Sequence, residues 1–172
     1  MFLELTLILI GVAIAALGWT WGGAGNARTG WLAVGAPGIV LAAILAFRGS
    51  DEVISTWALA GAGAVFALVA AGSMKWGAAG DNTTGLFAFI LAAAAGLSAG
   101  GLSKGAPTFS ILSLGMVLVA VAAGVVFLSG FWSRVAVVRQ IAGWICVLLG
   151  LAIGFLAYGP SIGVTFGTAG LG

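Results

Sequence analysis

Long apolar runs separated by single charged residues or short polar loops make up nearly the whole chain. A helix rises about 1.5 Å per residue and needs roughly 20 apolar residues to cross a hydrocarbon core about 30 Å thick. Charged side chains leave six charge-free runs, 5–27, 29–47, 53–74, 82–103, 105–133 and 140–172. The pattern predicts one membrane-spanning helix per run, at Phe2–Trp21, Trp31–Phe47, Val53–Gly72, Thr84–Leu102, Phe109–Phe131 and Val138–Tyr158.

The connections between these runs are short. The longest polar loop in the first two-thirds of the chain runs from Met74 to Gly85, and only RGSDE and SKGAPT separate two of the other pairs. Such lengths are typical of antiparallel helix neighbours. Strands are excluded because the segments are unbroken and a lipid-embedded backbone must satisfy its hydrogen bonds internally. We therefore predict an all-α membrane protein, with residues 1–172 forming a single compact bundle of six transmembrane helices.

Composition agrees with a place in the lipid bilayer. Of the residues, 62% are hydrophobic and 6% are charged, and the mean hydropathy is +1.26. The charges are too few to form a separate soluble domain, and a net charge of +2 gives no reason to expect a nucleic-acid partner. Because the first charge is Glu4 and not a basic residue, we interpret the N-terminal run as a retained helix and not as a signal peptide.

The distribution of charge predicts an orientation. An even number of helices places both termini on one face, and the loops of the opposite face then hold Arg28, Lys75, Arg134 and Arg139. The positive-inside rule makes that opposite face cytoplasmic, so both termini are expected on the outer face of the cytoplasmic (inner) membrane. Tryptophans favour the headgroup level. Five fall near the same boundary: Trp19, Trp21, Trp31, Trp76 and Trp132.

The residues needed for common catalytic or metal sites are missing from the sequence. It has no histidine, one cysteine (Cys146) and four acidic residues, and it lacks the GxxxxGK pattern of a phosphate-binding loop. We predict no enzymatic activity, no metal and no cofactor. Glu4, at the end of the first helix, is interpreted as an interfacial anchor, with a pore mouth as the alternative.

The abundant glycines have two interpretations. The first interpretation is packing within the bundle, because small residues on helices let backbones approach closely in lipid. The second is that these residues line a narrow pore or an interface between subunits. The glycines predicted to serve helix packing are Gly11, Gly18, Gly35, Gly96, Gly100, Gly150 and Gly154. Pro37 is expected to kink the second helix.

Several segments resemble a known family. LILIGVAIAALG in the first helix has Gly11 and Gly18 seven apart, WLAVGAPGIV in the second has a Val-Gly pair, and GWICVLLGLAIGF in the last is centred on Gly150. The central segment FALVAAGSMKWGAAGDNTTGLFAF has the same order of aromatic and small residues. In these features the chain resembles the AmiS/UreI family of six-helix urea and short-chain amide channels. It departs from the family at Leu149, where the channels that conduct urea carry a glutamate.

The resemblance implies a passive channel or facilitator for urea, a short-chain amide or ammonia, assembled as a homo-oligomeric ring. The side chains expected to form its apolar constrictions are Trp57, Phe66, Phe87, Phe89 and Trp144. The alternative is a non-catalytic accessory subunit, whose short loops and small-residue faces pack against other membrane subunits. A proton-coupled transporter is disfavoured because no acid or histidine falls at mid-membrane.

Overall fold

The computed structural model describes residues 2–24, 62, 63, 65, 66, 68, 78–103, 111–132 and 135–158. They form four long helices, which we number α1 (Phe2–Trp21), α2 (Ala78–Ser103), α3 (Ile111–Phe131) and α4 (Ala136–Tyr158). The described positions between 62 and 68 also have helical backbone. The all-helical prediction is confirmed for this part of the chain. The predicted helix Trp31–Phe47, most of Val53–Gly72, and with them Gly35, Pro37 and Trp57, lie outside the described residues.

The largest difference from a predicted boundary is at the start of α2. The helix is predicted to begin at Thr84, after a polar loop, yet residues 78–83 already belong to α2. The reason is tertiary packing. Thr84 is fully buried, and a Cβ placed on Gly85 would lie 3.2 Å from the carbonyl oxygen of Phe127 in α3. Contact with α3 therefore stabilises a helical start that the local polarity of GDNTTG does not favour.

The helices pack in a simple order with α3 at the centre. α3 contacts α2, α4 and α1, and α1 also packs along α4. The early part of α2 meets the late part of α3, so these two helices are antiparallel. A tight turn in which the Val135 amide donates to the Trp132 carbonyl, at 3.0 Å, then reverses the chain into α4.

A glycine ends α1. Gly23 has a φ of 82°, a conformation that costs glycine little because it has no Cβ. The Ala24 amide donates to the Trp19 carbonyl and the Gly23 amide to the Thr20 carbonyl, both at 3.2 Å. This is the Schellman arrangement, which satisfies the last carbonyls of a helix. The end of α1 is thereby held close to the start of α4.

The interior is built from aliphatic and small side chains. Leu7, Ile14 and Leu17 of α1, and Met116 and Val119 of α3, are almost completely buried. Two segments, Leu114–Phe131 and Ala136–Tyr158, are long and apolar enough to cross a membrane, and Thr6–Trp21 and Asn82–Leu97 are shorter apolar helices. Two such spanning helices are weak evidence for a membrane protein, because core helices of soluble proteins share these properties.

We predict that Ala122→Leu destabilises this bundle. Ala122 is fully buried in the core of α3, so three added carbon atoms would displace neighbouring side chains at a cost of about 1–3 kcal/mol. Its neighbour Val121 is 49% exposed and Val121→Leu serves as the control. Thermal unfolding in detergent, followed by circular dichroism, should show a lower midpoint for Ala122→Leu alone. Equal midpoints for both variants would contradict the described packing.

Candidate functional site: the seam between the first and last helices

The closest helix contact in the described structure joins α1 and α4 through glycines. A Cβ placed on Gly11 would lie 2.7 Å from the carbonyl oxygen of Gly150, and one placed on Gly143 would lie 2.7 Å from the carbonyl oxygen of Gly18. Both distances are shorter than real Cβ contacts allow. The two backbones therefore touch at both positions, and we call this α1–α4 contact the seam.

The spacing of these glycines sets the geometry of the seam. Gly11 and Gly18 are seven residues apart on α1, and Gly143 and Gly150 are seven apart on α4. Residues seven apart recur on one helix face after two turns. The earlier glycine of α1 meets the later glycine of α4, so the helices run antiparallel. Phe2 and Tyr158 consequently lie at the same end of the helix pair.

An apolar groove runs along the outer side of the seam. Glycines and alanines form its floor and larger apolar side chains form its rims, enclosing about 650 Å³. Its lining comprises Ile8, Gly11, Val12, Ala15, Ala16 and Trp19 of α1, with Val147, Gly150, Leu151, Gly154, Phe155 and Tyr158 of α4. The groove exists because the small residues that bring the backbones together leave no side chains to fill it.

Two tryptophans meet at one end of the groove. The ring centroids of Trp19 and Trp144 are 5.8 Å apart with an interplanar angle of 69°, an edge-to-face arrangement. The Trp144 ring also reaches within 3.3 Å of the position that a Cβ on Gly22 would occupy. Both indoles are nearly half exposed, so they lie across the surface of the seam and not inside the bundle.

A second, polar cavity of about 520 Å³ lies beyond this tryptophan pair, where α1 ends and α4 begins. Thr20, Arg139 and Gln140 supply its polar side chains, and Trp21, Gly22, Gly23 and Ala136 complete the lining. The Thr20 hydroxyl donates to the Ala16 carbonyl at 3.0 Å. Arg139 gives this cavity a positive charge next to an otherwise apolar helix pair.

The side chains predicted to line a pore lie in different environments. Phe66 is fully buried in the core, and Phe87 is half-buried. Phe89 is 55% exposed and packs against Phe127 with 5.4 Å between ring centroids. Trp144 lies across the seam, as described above. None of these four lines the groove or the polar cavity, so the described structure does not bring them to a common site.

The glycines predicted to serve packing also differ in their surroundings. Gly11, Gly18 and Gly150 lie in the seam, and the Gly154 nitrogen is 3.2 Å from the Cβ position of Gly11. Gly96 is exposed, and a Cβ there would meet nothing within 4 Å. Gly100 lies within α2, whereas Gly35 is outside the described residues.

Sequence reasoning missed Gly143, although the sequence carries a signal for it. Its seven-residue distance from Gly150 repeats the Gly11–Gly18 spacing. Matching glycine spacings on two helices of opposite direction favour a glycine-to-glycine contact. A search for equal spacings on different helices could therefore have paired α1 with α4.

Where the structure describes side chains, those that are both polar and buried are the hydroxyls of Thr6, Thr84 and Ser129. The described residues contain no group of three or more His, Cys, Asp or Glu side chains that could hold a metal ion. The part of the chain that the structure describes is thus all-helical, and two of its helices are long and apolar enough to cross a membrane. Comparisons with family models, characterised proteins and solved structures find no match to the chain.

We predict that Gly150→Leu separates α1 from α4. A Cβ at this position would lie 2.8 Å from the Cβ of Ala15, so the larger side chain cannot fit without moving a helix. Gly96→Leu makes the same chemical change at an exposed helical position with open space around it. Thermal midpoints in detergent should fall clearly for Gly150→Leu and hardly change for Gly96→Leu. An unchanged midpoint for Gly150→Leu would count against the seam.

Proposed function

We propose that this chain is an integral membrane protein with six transmembrane helices, α1 to α4 and two more from the segments 31–47 and 53–72. The directions of the described helices support this number. Because α2 and α4 are each antiparallel to α3, they run parallel to one another, and α1 runs opposite to both. The chain between the end of α1 and the start of α2 must therefore cross the bundle an even number of times, and two crossings fit the two apolar runs.

In this proposal the end of the bundle that carries Trp21, Trp132 and Arg139 faces the cytoplasm. The same end receives the loops with Arg28, Lys75 and Arg134, which the positive-inside rule places in the cytoplasm. Both termini then lie on the outer face of the membrane. The antiparallel seam supports a common face for the termini, since it brings Phe2 and Tyr158 to one end.

The function we propose is passive conduction of a small neutral solute, such as urea, a short-chain amide or ammonia, without catalysis. The observation that carries it is the chemistry of the buried polar groups. Thr6, Thr84 and Ser129 offer hydroxyls, which can exchange hydrogen bonds with a neutral solute but do not carry charge. The resemblance of the glycine and aromatic pattern to the AmiS/UreI channels, noted in the sequence, supports the same class of solute.

A second candidate function is a non-catalytic accessory subunit of a larger membrane protein complex, packed against other membrane subunits. The outward face of α4 favours it. Ile141, Leu148 and Leu151 are 56%, 68% and 62% exposed, and Phe89 and Trp144 also face outward. Several large apolar side chains exposed on one helix suit contact with lipid or with another helix bundle.

We predict that lipid vesicles containing the purified chain shrink and recover faster in a urea or acetamide gradient than empty vesicles. Proton permeability should stay at the level of empty vesicles, because the hydroxyls proposed to contact the solute do not titrate near neutral pH. Stopped-flow light scattering and an entrapped pH dye measure the two quantities, and a sucrose gradient controls for leaks. Permeability equal to that of empty lipid would contradict conduction. Co-purification of stoichiometric partners from native membranes would then favour the accessory subunit.

A further inference from the structure

The groove and the polar cavity follow one another along the seam. Gly22 lines the polar cavity and contacts Trp144, Trp144 packs against Trp19, and Trp19 lines the groove. The polar cavity thus forms the cationic, hydrogen-bonding end of one continuous surface, and the apolar groove continues it along the same two helices. A ligand that fits both parts must have a polar, negatively charged head and an apolar tail.

The polar end has the chemistry of an anion site. Arg139 carries a guanidinium with several donors, and Gln140 adds amide donors. The Arg139 amide donates to the Val135 carbonyl at 3.1 Å, which marks the first bond of α4. Ala136 at the start of α4 lines the cavity, so the positive end of the helix dipole adds to the charge of Arg139.

The apolar part has the length of a lipid chain. On α1 the groove extends from Ile8 to Trp19, which corresponds to about 16 Å along the helix axis. One leaflet of a bilayer contributes about half of a hydrocarbon core of about 30 Å. An acyl chain of ordinary length therefore fills the groove when its headgroup lies at the polar cavity.

We propose that the seam binds an anionic membrane phospholipid, with its phosphate in the cavity of Arg139 and Gln140 and one acyl chain in the groove. The tryptophan pair lies beside the junction of head and chain, at the level where indole rings are favoured in a bilayer. The lipid covers the floor of the groove, which Gly11, Gly150 and Gly154 help to form, and so fills the space that small residues leave between the larger side chains of the rims. This inference rests on the proposed membrane location and is independent of solute conduction.

Lipid-depleted full-length protein in detergent tests the proposal, with native mass spectrometry and thermal unfolding as readouts. Phosphatidylglycerol, which is anionic, should be retained and should raise the unfolding midpoint more than phosphatidylcholine with the same chains. Inorganic phosphate alone should have little effect. Equal retention of the two lipids, or full protection by inorganic phosphate, would overturn the proposal.

Two variants test binding of the lipid headgroup and of the acyl chain separately. Arg139→Gln should weaken phosphatidylglycerol binding about tenfold and remove the preference over phosphatidylcholine, because a charge-assisted contact is lost. Gly154→Phe should reduce binding of both lipids by filling the groove, since a Cβ at Gly154 meets nothing within 4 Å. As a control, Lys104→Gln also removes one positive charge, at a position outside the proposed site, and should leave the preference for phosphatidylglycerol over phosphatidylcholine unchanged.

Three outcomes would contradict the assignment. The preference for phosphatidylglycerol could survive in Arg139→Gln, or it could disappear equally in Lys104→Gln. Alternatively, Gly154→Phe could abolish a dimer without changing lipid retention, which would make the groove an interface between two copies of the chain. Extraction of native membranes with alkaline carbonate tests the membrane location separately, so failure of that premise can be distinguished from failure of lipid binding.

Discussion

Backbone contact between α1 and α4 is the constraint on which the rest of the structure depends. In the proposed membrane location, association of helices gains little from the hydrophobic effect, because the acyl chains are as apolar as the side chains they contact. Attraction then comes from many short-range dispersion contacts, which require close approach. Gly11, Gly18, Gly143 and Gly150 permit that approach at two levels of the seam, two helical turns apart.

Several features follow from this contact. Its antiparallel direction brings Phe2 and Tyr158 to one end and thereby limits the number of chain crossings between them. The glycines at the contact have no side chains, which leaves space for the apolar groove, and larger residues on both helices form the rims of the groove. The Schellman turn at Gly23 ends α1 beside Arg139, so the same contact that holds the helices together also forms the polar cavity.

The four described helices could be predicted well from the sequence, because long charge-free apolar runs of about 20 residues are typical of helices that can cross a membrane. The predicted first helix has the bounds of α1, and the predicted starts of the last two helices differ by two residues from those of α3 and α4. The start of α2 was missed because it depends on the burial of Thr84 and on the contact of Gly85 with α3. The residue that Gly85 approaches, Phe127, lies more than forty residues later in the sequence, so no local pattern indicates the contact.

The positions of side chains around the helices were harder to predict. Helices that are apolar on every side give no periodic signal for the buried face. The sequence therefore could not distinguish Phe66, which is fully buried, from Phe89, which is 55% exposed. For the same reason the sequence predicted the same packing role for Gly96 and Gly150. The structure shows open space around Gly96 and the α1 backbone against Gly150.

The seam can be measured most directly with the native cysteine. A Cβ at Gly18 would lie 2.8 Å from the Cβ of Cys146 in α4, so Gly18→Cys should form a disulfide once the helices separate by about an ångström to the usual Cβ spacing. After mild oxidation and denaturation, mass spectrometry should find both cysteines of this variant linked within one chain and protected from alkylation. Gly96→Cys should leave both thiols free. If Gly18→Cys also kept both thiols alkylatable, α1 and α4 would not be in contact at this level and the account would be wrong.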